Sequence, residues 1–412
     1  MKILAIGDTA DNIFTLKKFA KKSAIHLITF PRKQDALFTN LDGDTEFFDS
    51  LLITKQVKKI NSIKHNFDLC IVMTWAAARI AYLADLNYIM YFVGDDIRTP
   101  PFEKKPRLSY LNQPAFKRNL IERNFYGKIF HSAIACVTTG HELYQILKQY
   151  RADAIRVDRI AVDVKLFNEN VKPIDLPKNK FVFLSAQRFS LEKGMDIIWQ
   201  ALKLCKSDFE VWQVKWFIQN TEEERLANEQ LMSDVPPQIK FIPLIKRDEL
   251  ARYFVFADAI LGQMRSGAQG AIERDAILCK KPVITYTDPD RPMFLDGKEV
   301  VPPFLPRSKD PQELAKLIDK IVESKEFREK LASEEYEFVK NLSHPDYVIA
   351  EWEQIFEKYV AQCKGITKKT SSIYKKSEYI IALLLEKLVY TRTMREKNIR
   401  AWGKENYKRL TK

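Results

Sequence analysis

The chain has 412 residues, of which 46% are hydrophobic and 12% aromatic, and its formal net charge is +13. This length suits two domains of ordinary size, and the apolar content excludes an intrinsically disordered chain. No apolar run reaches the roughly eighteen residues that a membrane-spanning helix needs. The first apolar run ends at Gly7 and Asp8, so we expect it to form a strand rather than a signal peptide.

Five cysteines and five histidines are scattered along the chain, with no CxxC pair and no spacing typical of a metal site. An odd number of cysteines, several of them in apolar surroundings, favours reduced thiols and hence a cytoplasmic location. The sequence therefore predicts neither a bound metal nor a cofactor. The charge is uneven, because residues 366–412 contain thirteen lysines or arginines and four glutamates, which leaves only +4 for the rest.

Strand-like and helix-like segments alternate in the first half of the chain. We predict helices over Asp11–Lys22 and from His141 onward, and strands over Lys2–Ile6, Ile25–Phe30, Asp68–Met73, Tyr88–Val93 and Ala133–Val137. Several of these strands are nearly continuous apolar runs, which is typical of strands buried on both faces. The alternation predicts a doubly wound parallel sheet with helices on both sides.

The segment Asn168–Lys180 is rich in Asn, Pro and Lys, and it predicts a linker between domains. The alternation then resumes, with a helix over Met195–Cys205 and strands over Phe181–Ser185, Glu210–Ile218, Ile239–Phe241, Ala259–Leu261 and Val283–Thr285. Asp346–Gln362 carries its apolar residues on one side, as an amphipathic helix does. We therefore predict two Rossmann-like α/β domains facing a central cleft, over residues 1–165 and 166–345, then a helix within residues 346–365 and a basic helical tail over residues 366–412.

A glycine-containing loop follows the predicted strand that ends at Leu261 and precedes a helical pattern. Gly267 and Gly270 would let backbone N–H groups approach an anion at the start of that helix, where the helix dipole favours negative charge. The helix carries two acidic residues, Glu273 and Asp275, which could bond the hydroxyl groups of a sugar or a ribose. This arrangement is typical of a nucleotide-sugar site.

A second loop follows the predicted strand Phe181–Ser185 and carries Arg188 and Lys193. A planar guanidinium and a compact ammonium together can neutralise a diphosphate as it departs. The same two residues could equally belong to a solvated loop, because basic side chains are common there.

Together these segments resemble the retaining GT-B glycosyltransferases of family 4. That family has an R-x4-K-G segment after the first strand of its C-terminal domain, which matches Arg188 to Gly194. Its glycine-loop helix is written E-G-F-G-x4-E-A-x3-G-x-P-V, and the second half matches Asp275 to Val283, with Gly270 on the loop glycine. The resemblance implies transfer of a sugar from a nucleotide-sugar donor to a hydroxyl of a glycan or a lipid-linked acceptor, with retention of anomeric configuration. We expect this transfer to be metal-independent, because the two cations could neutralise the leaving group without a metal-binding DxD motif.

On the donor side, the resemblance implies that Arg188 and Lys193 stabilise the departing diphosphate and that Asp275 holds the ribose hydroxyls. The other donor-binding candidates surround the glycine loop and are Arg265, Gly267, Gln269, Gly270, Ala271 and Glu273. Gly267 stands where the family usually has a glutamate that contacts the sugar, and Asp275 is one methylene shorter than the usual second glutamate. Glu273 points about 200° away from Asp275 around a helix, which makes it a structural or secondary candidate.

On the acceptor side, the resemblance implies that the first domain binds the acceptor and that the late helix crosses back to it. The acceptor-side candidates follow predicted strands and are Gly7, Asp8, Asp95, Asp96 and His141. The two neighbouring aspartates could bond acceptor hydroxyls or cap the next turn, and the histidine could equally cap its helix. Val93 stands where the family often has a histidine.

Other functions are compatible with the same residues. A non-catalytic GT-B-like protein that binds a sugar nucleotide or scaffolds partners would explain Gly267 and Val93, and another sugar-nucleotide enzyme, such as an epimerase, would share the architecture. The tail over residues 366–412 could contact the anionic inner surface of a membrane or form a solvated helix. Nucleic acid has the least support as a partner, because the tail carries most of the positive charge.

Overall fold

A computed structural model of the chain describes residues 1–30, 45–104, 120–217, 222–267 and 269–364, together with residues 377 and 380. The strands are β1 (Lys2–Ile6), β2 (Ala24–Thr29), β3 (Glu46–Phe47), β4 (Leu69–Met73), β5 (Tyr88–Phe92), β6 (Ala135–Thr138), β7 (Ile155–Arg156), β8 (Phe181–Ser185), β9 (Phe209–Val214), β10 (Ile239–Ile242), β11 (Ala259–Leu261), β12 (Val283–Ile284), β13 (Met293–Leu295) and β14 (Lys298–Val300). The α-helices are α1 (Asn12–Phe19), α2 (Ile53–Ile63), α3 (Trp75–Leu83), α4 (Asp95–Arg98), α5 (Leu120–Ser132), α6 (His141–Lys148), α7 (Met195–Leu204), α8 (Glu222–Met232), α9 (Leu250–Phe256), α10 (Ala271–Leu278), α11 (Pro311–Glu323), α12 (Lys325–Ser343) and α13 (Pro345–Lys364). The predicted basic tail lies outside the described residues, apart from positions 377 and 380.

The first seven strands form one parallel sheet in the order β3-β2-β1-β4-β5-β6-β7. Alternate residues of β1 point to opposite faces, as the pleat of a strand requires. Leu4 and Ile6 pack with residues of α2, α3 and α5, whereas Ile3 and Ala5 pack with residues of α1 and α13. Helices therefore cover both faces, which explains the continuous apolar runs of the central strands.

The next five strands form a second parallel sheet in the order β10-β9-β8-β11-β12. Val182 and Leu184 of β8 pack with residues of α9, α10 and α12, and Phe183 packs with residues of α7 and α11. β13 and β14 form a separate antiparallel hairpin after this sheet. The structure thus contains two Rossmann-like α/β domains, here called the first and second domain after their sheets, and it confirms the predicted fold class.

Two predicted elements end earlier than expected. The helix predicted over Asp11–Lys22 ends at Phe19, because Ala20 is extended and the N–H groups of the next two residues bond the carboxylate of Glu353 in α13. The strand predicted over Glu210–Ile218 ends at Val214. The short strands β3 and β7 and the β13–β14 hairpin had no predicted counterpart, because strands of two or three residues are too short to show a periodic pattern.

α13 leaves the second domain and packs on the first sheet. Trp352, with 1% of its surface exposed, lies in the core, and its ring centroid is 4.8 Å from that of Tyr91 in β5 and 5.6 Å from that of Phe356. Val348 and Ile349 belong to the same core cluster as β1 and α1. The last described helix therefore completes the core of the first domain, which ties the two domains together.

Candidate functional site

A cavity of about 300 Å³ lies between the two domains, at the carboxyl ends of both parallel sheets. Ligands of doubly wound sheets bind at this edge because the loops after successive strands converge there. The first domain contributes loops after β1, β5 and β6, and the second domain contributes the glycine loop and the start of α10. The predicted site residues that line the cavity are His141, Gly267, Gln269, Gly270, Ala271 and Asp275.

The glycine loop has a conformation that explains its sequence. Gly267 has a φ of +69°, and a Cβ atom there would lie 2.7 Å from the Cβ atom of Asp288. A glutamate would strain the backbone and collide with that side chain, which accounts for glycine at this position. Gly270 is the N-cap of α10 and supplies no side-chain acceptor, so a ligand can bond the first N–H groups of the helix.

Asp275 lies at the base of the cavity with 1% of its surface exposed. Its Oδ2 atom accepts a hydrogen bond from Arg247, whose guanidinium carbon lies 4.3 Å from the ring centroid of Phe167. Burial raises the pKa of this carboxyl, and the ion pair with Arg247 opposes that rise. Its Oδ1 atom is buried without a hydrogen-bond partner among the described residues, so one oxygen remains for a ligand.

Two other residues that were predicted to bind the donor use their side chains for contacts within the second domain. Glu273 is 2% exposed, and its Oε1 atom accepts the N–H of Gln263 at 3.0 Å, so it holds the glycine loop from inside. Arg265 donates to both carboxylate oxygens of Asp196, at 2.7 and 2.6 Å, and to the carbonyl of Leu191 at 2.8 Å. Neither residue is among those that line the cavity. The geometry of Glu273 favours the structural alternative for that residue.

The loop that carries Arg188 and Lys193 follows β8, but it does not contribute to the lining of this cavity. Arg188 forms an ion pair with Glu192. The ammonium of Lys193 has no ion-pair partner in the part of the chain that the structure describes. The carbonyl of Lys193 accepts the N–H of Met264 at 2.9 Å, which joins this loop to the glycine loop.

The predicted acceptor-side residues Gly7 and Asp8 shape the turn from β1 to α1. Gly7 has a φ of +76°, and a Cβ atom there would lie 2.5 Å from the carbonyl oxygen of Met73, so the turn admits only glycine. The carboxylate of Asp8 accepts the N–H groups of Ile13 and Phe14, each at 3.0 Å. This carboxylate therefore caps α1, as acidic side chains commonly do at helix starts.

The two neighbouring aspartates lie in the short helix α4. Oδ1 of Asp96 accepts the N–H of Gly94 at 2.9 Å and that of Ile97 at 3.1 Å. Of the two predicted roles, these bonds favour capping of the turn over binding of an acceptor hydroxyl. Asp95 begins α4, and its side chain lies outside the described part of the structure. Val93, at the position of the family's histidine, lines the cavity with an apolar side chain.

A carboxylate that the sequence analysis missed joins the two domains across the cleft. Asp158 accepts the N–H of Gly140 at 2.8 Å in the first domain and the N–H of Phe294 at 2.6 Å in the second. Arg156 pairs with the same carboxylate and donates to the carbonyl of Pro292 at 2.6 Å. These bonds fix the β13–β14 hairpin against the loop that precedes α6.

A second missed link involves Glu142, in the first turn of α6. Its carboxylate accepts from Arg98 of the first domain at 3.0 and 3.1 Å, and from Arg291 of the second domain at 3.3 Å. All three residues line the cavity. The sequence carried no signal for these pairs, because their members are far apart along the chain.

Buried polar atoms without hydrogen-bond partners cluster around the cavity. They are Nδ1 of His141, Oε1 of Gln269, Oδ1 of Asp275, and Nε and Nη1 of Arg274, counted over the described residues. Buried polar atoms in folded proteins are nearly always paired, so unpaired ones in a cavity indicate a missing polar ligand. Arg274 was not predicted, because a basic residue in a helical pattern is usually exposed.

No cysteine is among the residues that line this cavity. The five cysteines, which all lie in described segments, are free thiols. Over the ranges that the structure describes, no group of three or more His, Cys, Asp or Glu side chains is arranged to hold a metal ion.

The same two-domain architecture occurs in other solved structures. The chain is similar to Anabaena HepE in complex with UDP and glucose, at 16% identity and a TM-score of 0.64, over 87% of this chain and 100% of that chain. It is similar to sucrose-phosphate synthase from Thermosynechococcus elongatus, at 15% identity and a TM-score of 0.62, over 88% of this chain and 100% of that chain. It is also similar to a glycosyltransferase from Rickettsia africae, at 15% identity and a TM-score of 0.60, over 87% of this chain and 98% of that chain. These likenesses show that the fold is GT-B, as predicted.

Part of the sequence also matches a model of a known protein family. Residues 167–338 match the family model described as glycosyl transferases group 1. The matched segment contains the Arg188–Lys193 loop, the glycine loop and α10, which are the parts that carried the resemblance. No curated protein matches the chain by sequence.

Proposed function

We propose that this protein is a retaining glycosyltransferase that moves a sugar from a nucleotide-sugar donor to an acceptor hydroxyl of a glycan or a lipid-linked molecule. The observation that carries this proposal is the cluster of unpaired buried polar atoms at the start of α10, inside the cleft of a GT-B fold. The match of residues 167–338 to glycosyl transferases group 1 supports sugar transfer. The complexes of HepE with UDP support a nucleotide-sugar donor.

The phosphates and the ribose of the proposed donor have matching groups on the second domain. The N–H groups at the start of α10 suit the negatively charged phosphates. The unpaired Oδ1 of Asp275 suits a ribose hydroxyl, and the ion pair with Arg247 holds this carboxylate in place. Arg188 and Lys193 lie on the neighbouring loop, which is bonded to the glycine loop, and would neutralise the diphosphate as it departs.

The proposed chemistry breaks the bond between the anomeric carbon and the phosphate oxygen, and the bonding electrons go to the departing diphosphate. The acceptor oxygen bonds the same face of the anomeric carbon, and the proton of the acceptor hydroxyl passes to a departing phosphate oxygen. Positive charge builds on the sugar and negative charge on the phosphate, so preorganised cations favour the transition state. His141 lines the cavity on the side of the first domain, where the acceptor would enter.

Replacing Asp275 with asparagine is expected to weaken nucleotide binding by roughly tenfold to a hundredfold, because a charged acceptor contributes about 1.5–3 kcal/mol to a hydrogen bond. Titration calorimetry with UDP, GDP and ADP would measure this for the nucleotide that binds the wild type best. Asp208→Asn is a suitable control, because Asp208 lies on the surface in an ion pair with Lys180. Equal affinity of Asp275→Asn and wild type would remove Asp275 from the donor site.

Incubation of the protein with a panel of nucleotide sugars tests catalysis directly. Release of free nucleotide, with the product anomer followed by NMR, would establish transfer or hydrolysis and its stereochemical course. The alternative is a non-catalytic GT-B-like protein that binds a sugar nucleotide or scaffolds partners, which glycine at position 267 favours. Binding without turnover of any donor would select that alternative, and epimerised donor without acceptor would indicate an epimerase.

For the basic tail, residues 366–412, we propose contact with an anionic membrane surface, on the charge pattern of the sequence alone. None of the helices in the described ranges is both long enough and apolar enough to cross a membrane. The full chain is therefore expected to sediment with vesicles that contain phosphatidylserine, and a chain that ends at Gly365 is expected to stay in solution. Identical sedimentation of the two chains would contradict this role of the tail.

A further inference from the structure

Arg274 is a buried arginine whose charge has no direct ion-pair partner among the described residues. It lies in α10 with 7% of its surface exposed, and it lines the cavity between the domains. Its Nη2 atom donates to the carbonyl of Gln269 at 3.1 Å. Its Nε and Nη1 atoms are buried and have no acceptor among the described residues.

The nearby carboxylates are bonded elsewhere. Asp275 pairs with Arg247, and Glu273 accepts the N–H of Gln263. Asp158 accepts from Arg156 and from two backbone N–H groups. These carboxylates stabilise the charge of Arg274 from a distance, but none accepts a hydrogen bond from it.

A buried guanidinium with two unpaired nitrogens is unfavourable, because it has lost its hydration without gaining equivalent bonds. Burial accordingly lowers the pKa of Arg274, although Tyr91 and the neighbouring carboxylates act in the opposite direction. Such a residue is expected in a stable protein when a ligand supplies the missing acceptors. Arg274 is one of the residues that line the cavity, so we place the ligand there.

Other groups at the same place also favour an anion. The start of α10, at Ala271 three residues before Arg274, offers N–H groups and the positive end of the helix dipole. Nδ1 of His141 is a further buried atom without a partner among the described residues, and His141 lines the cavity from the first domain. A guanidinium, a helix start and an imidazole thus surround one space.

We propose that Arg274 binds a negatively charged oxygen of the donor, either on its diphosphate or on a carboxylate carried by its sugar. This proposal rests on the nucleotide-sugar function proposed above and assigns a specificity-determining residue to it. It adds a third cation to Arg188 and Lys193, and unlike them Arg274 lines the cavity in this structure.

The test compares wild type with Arg274→Met, which removes the charge but keeps a long side chain. Thermal stabilisation and calorimetric affinity are measured with inorganic pyrophosphate, UDP, GDP, UDP-glucose and UDP-glucuronate. The control is Arg252→Met, because Arg252 lies on the exposed side of α9 in a surface pair with Glu249. Arg274→Lys is measured in parallel, since it keeps the charge and provides a folded variant if the methionine variant does not fold.

We expect Arg274→Met to lose at least tenfold in affinity for the anionic ligands, with Arg274→Lys intermediate and the control unchanged. Equal losses of affinity for UDP, UDP-glucose and UDP-glucuronate would indicate that Arg274 binds the diphosphate. A loss confined to UDP-glucuronate would place the sugar carboxylate there.

Equal stabilisation of wild type and the Arg274 variants by every ligand, including no stabilisation at all, would overturn the proposal. Failure of the proposed function has a different signature. In that case no nucleotide sugar binds the wild type, whereas pyrophosphate still distinguishes wild type from Arg274→Met if the anion site exists.

Discussion

Replacing Arg188 or Lys193 with alanine is expected to lower kcat by about 100- to 1000-fold, because each side chain would act as one preorganised charge at the departing diphosphate. Both residues follow the carboxyl end of β8, on a loop that is bonded to the glycine loop. The larger loss is expected for Lys193→Ala, since its ammonium has no ion pair in the described part of the chain, whereas Arg188 already pairs with Glu192.

Single-turnover measurements with the donor that the wild type uses would separate this loss from changes in binding. Lys180→Ala is the matched control, because Lys180 precedes the same strand at its opposite end and forms a surface ion pair with Asp208. Its turnover is expected to equal that of the wild type. Near-normal turnover in both Arg188→Ala and Lys193→Ala would show that the leaving group is stabilised elsewhere, with Arg274 as the next residue to examine.

Replacing Trp352 with alanine is expected to lower the free energy of unfolding by about 3–5 kcal/mol, the usual range when a large buried aromatic side chain is removed. The indole lies between α13 and the first sheet, in contact with the rings of Tyr91 and Phe356. Because α13 starts in the second domain, the cavity left behind would also loosen the connection between the domains.

Urea denaturation followed by circular dichroism would measure this change. Gln354→Ala serves as the control, since Gln354 is an exposed residue of the same helix and its loss is expected to change stability by less than about 0.5 kcal/mol. A loss below about 1 kcal/mol in Trp352→Ala would mean that α13 contributes little to the core of the first domain.

Much of the cleft could be predicted because its signals are local in the chain. A strand, a glycine loop and a helix start follow one another over about twenty residues, and parallel strands bring such loops to one edge of the sheet. Gly267, Gly270 and Asp275 were predicted from this local pattern and from its resemblance to a known family, and the structure places all three at the cavity. The role of Asp96 was harder to predict, because its place in the sequence is compatible both with a contact to a ligand and with capping of the next turn.

The links across the cleft could not be predicted. Asp158 and Phe294 are 136 positions apart, and Glu142 and Arg291 are 149 apart. Their pairing depends on how the two domains face one another, and a single sequence carries no record of that. Arg274 illustrates the same limit, since its sequence context indicates only a basic residue on a helix.

The sequence by itself determined the two α/β domains, the longer strands of both sheets and the two loops that resemble a nucleotide-sugar site, because periodicity and turn chemistry act over a few neighbouring residues. Only the tertiary structure decided which polar groups are left without partners. Asp8, Glu273 and Arg265 use their charges within the protein, whereas two nitrogens of Arg274 and one oxygen of Asp275 have no partner among the described residues. Burial and hydrogen bonding depend on contacts between distant segments, and those contacts exist only after the chain has folded.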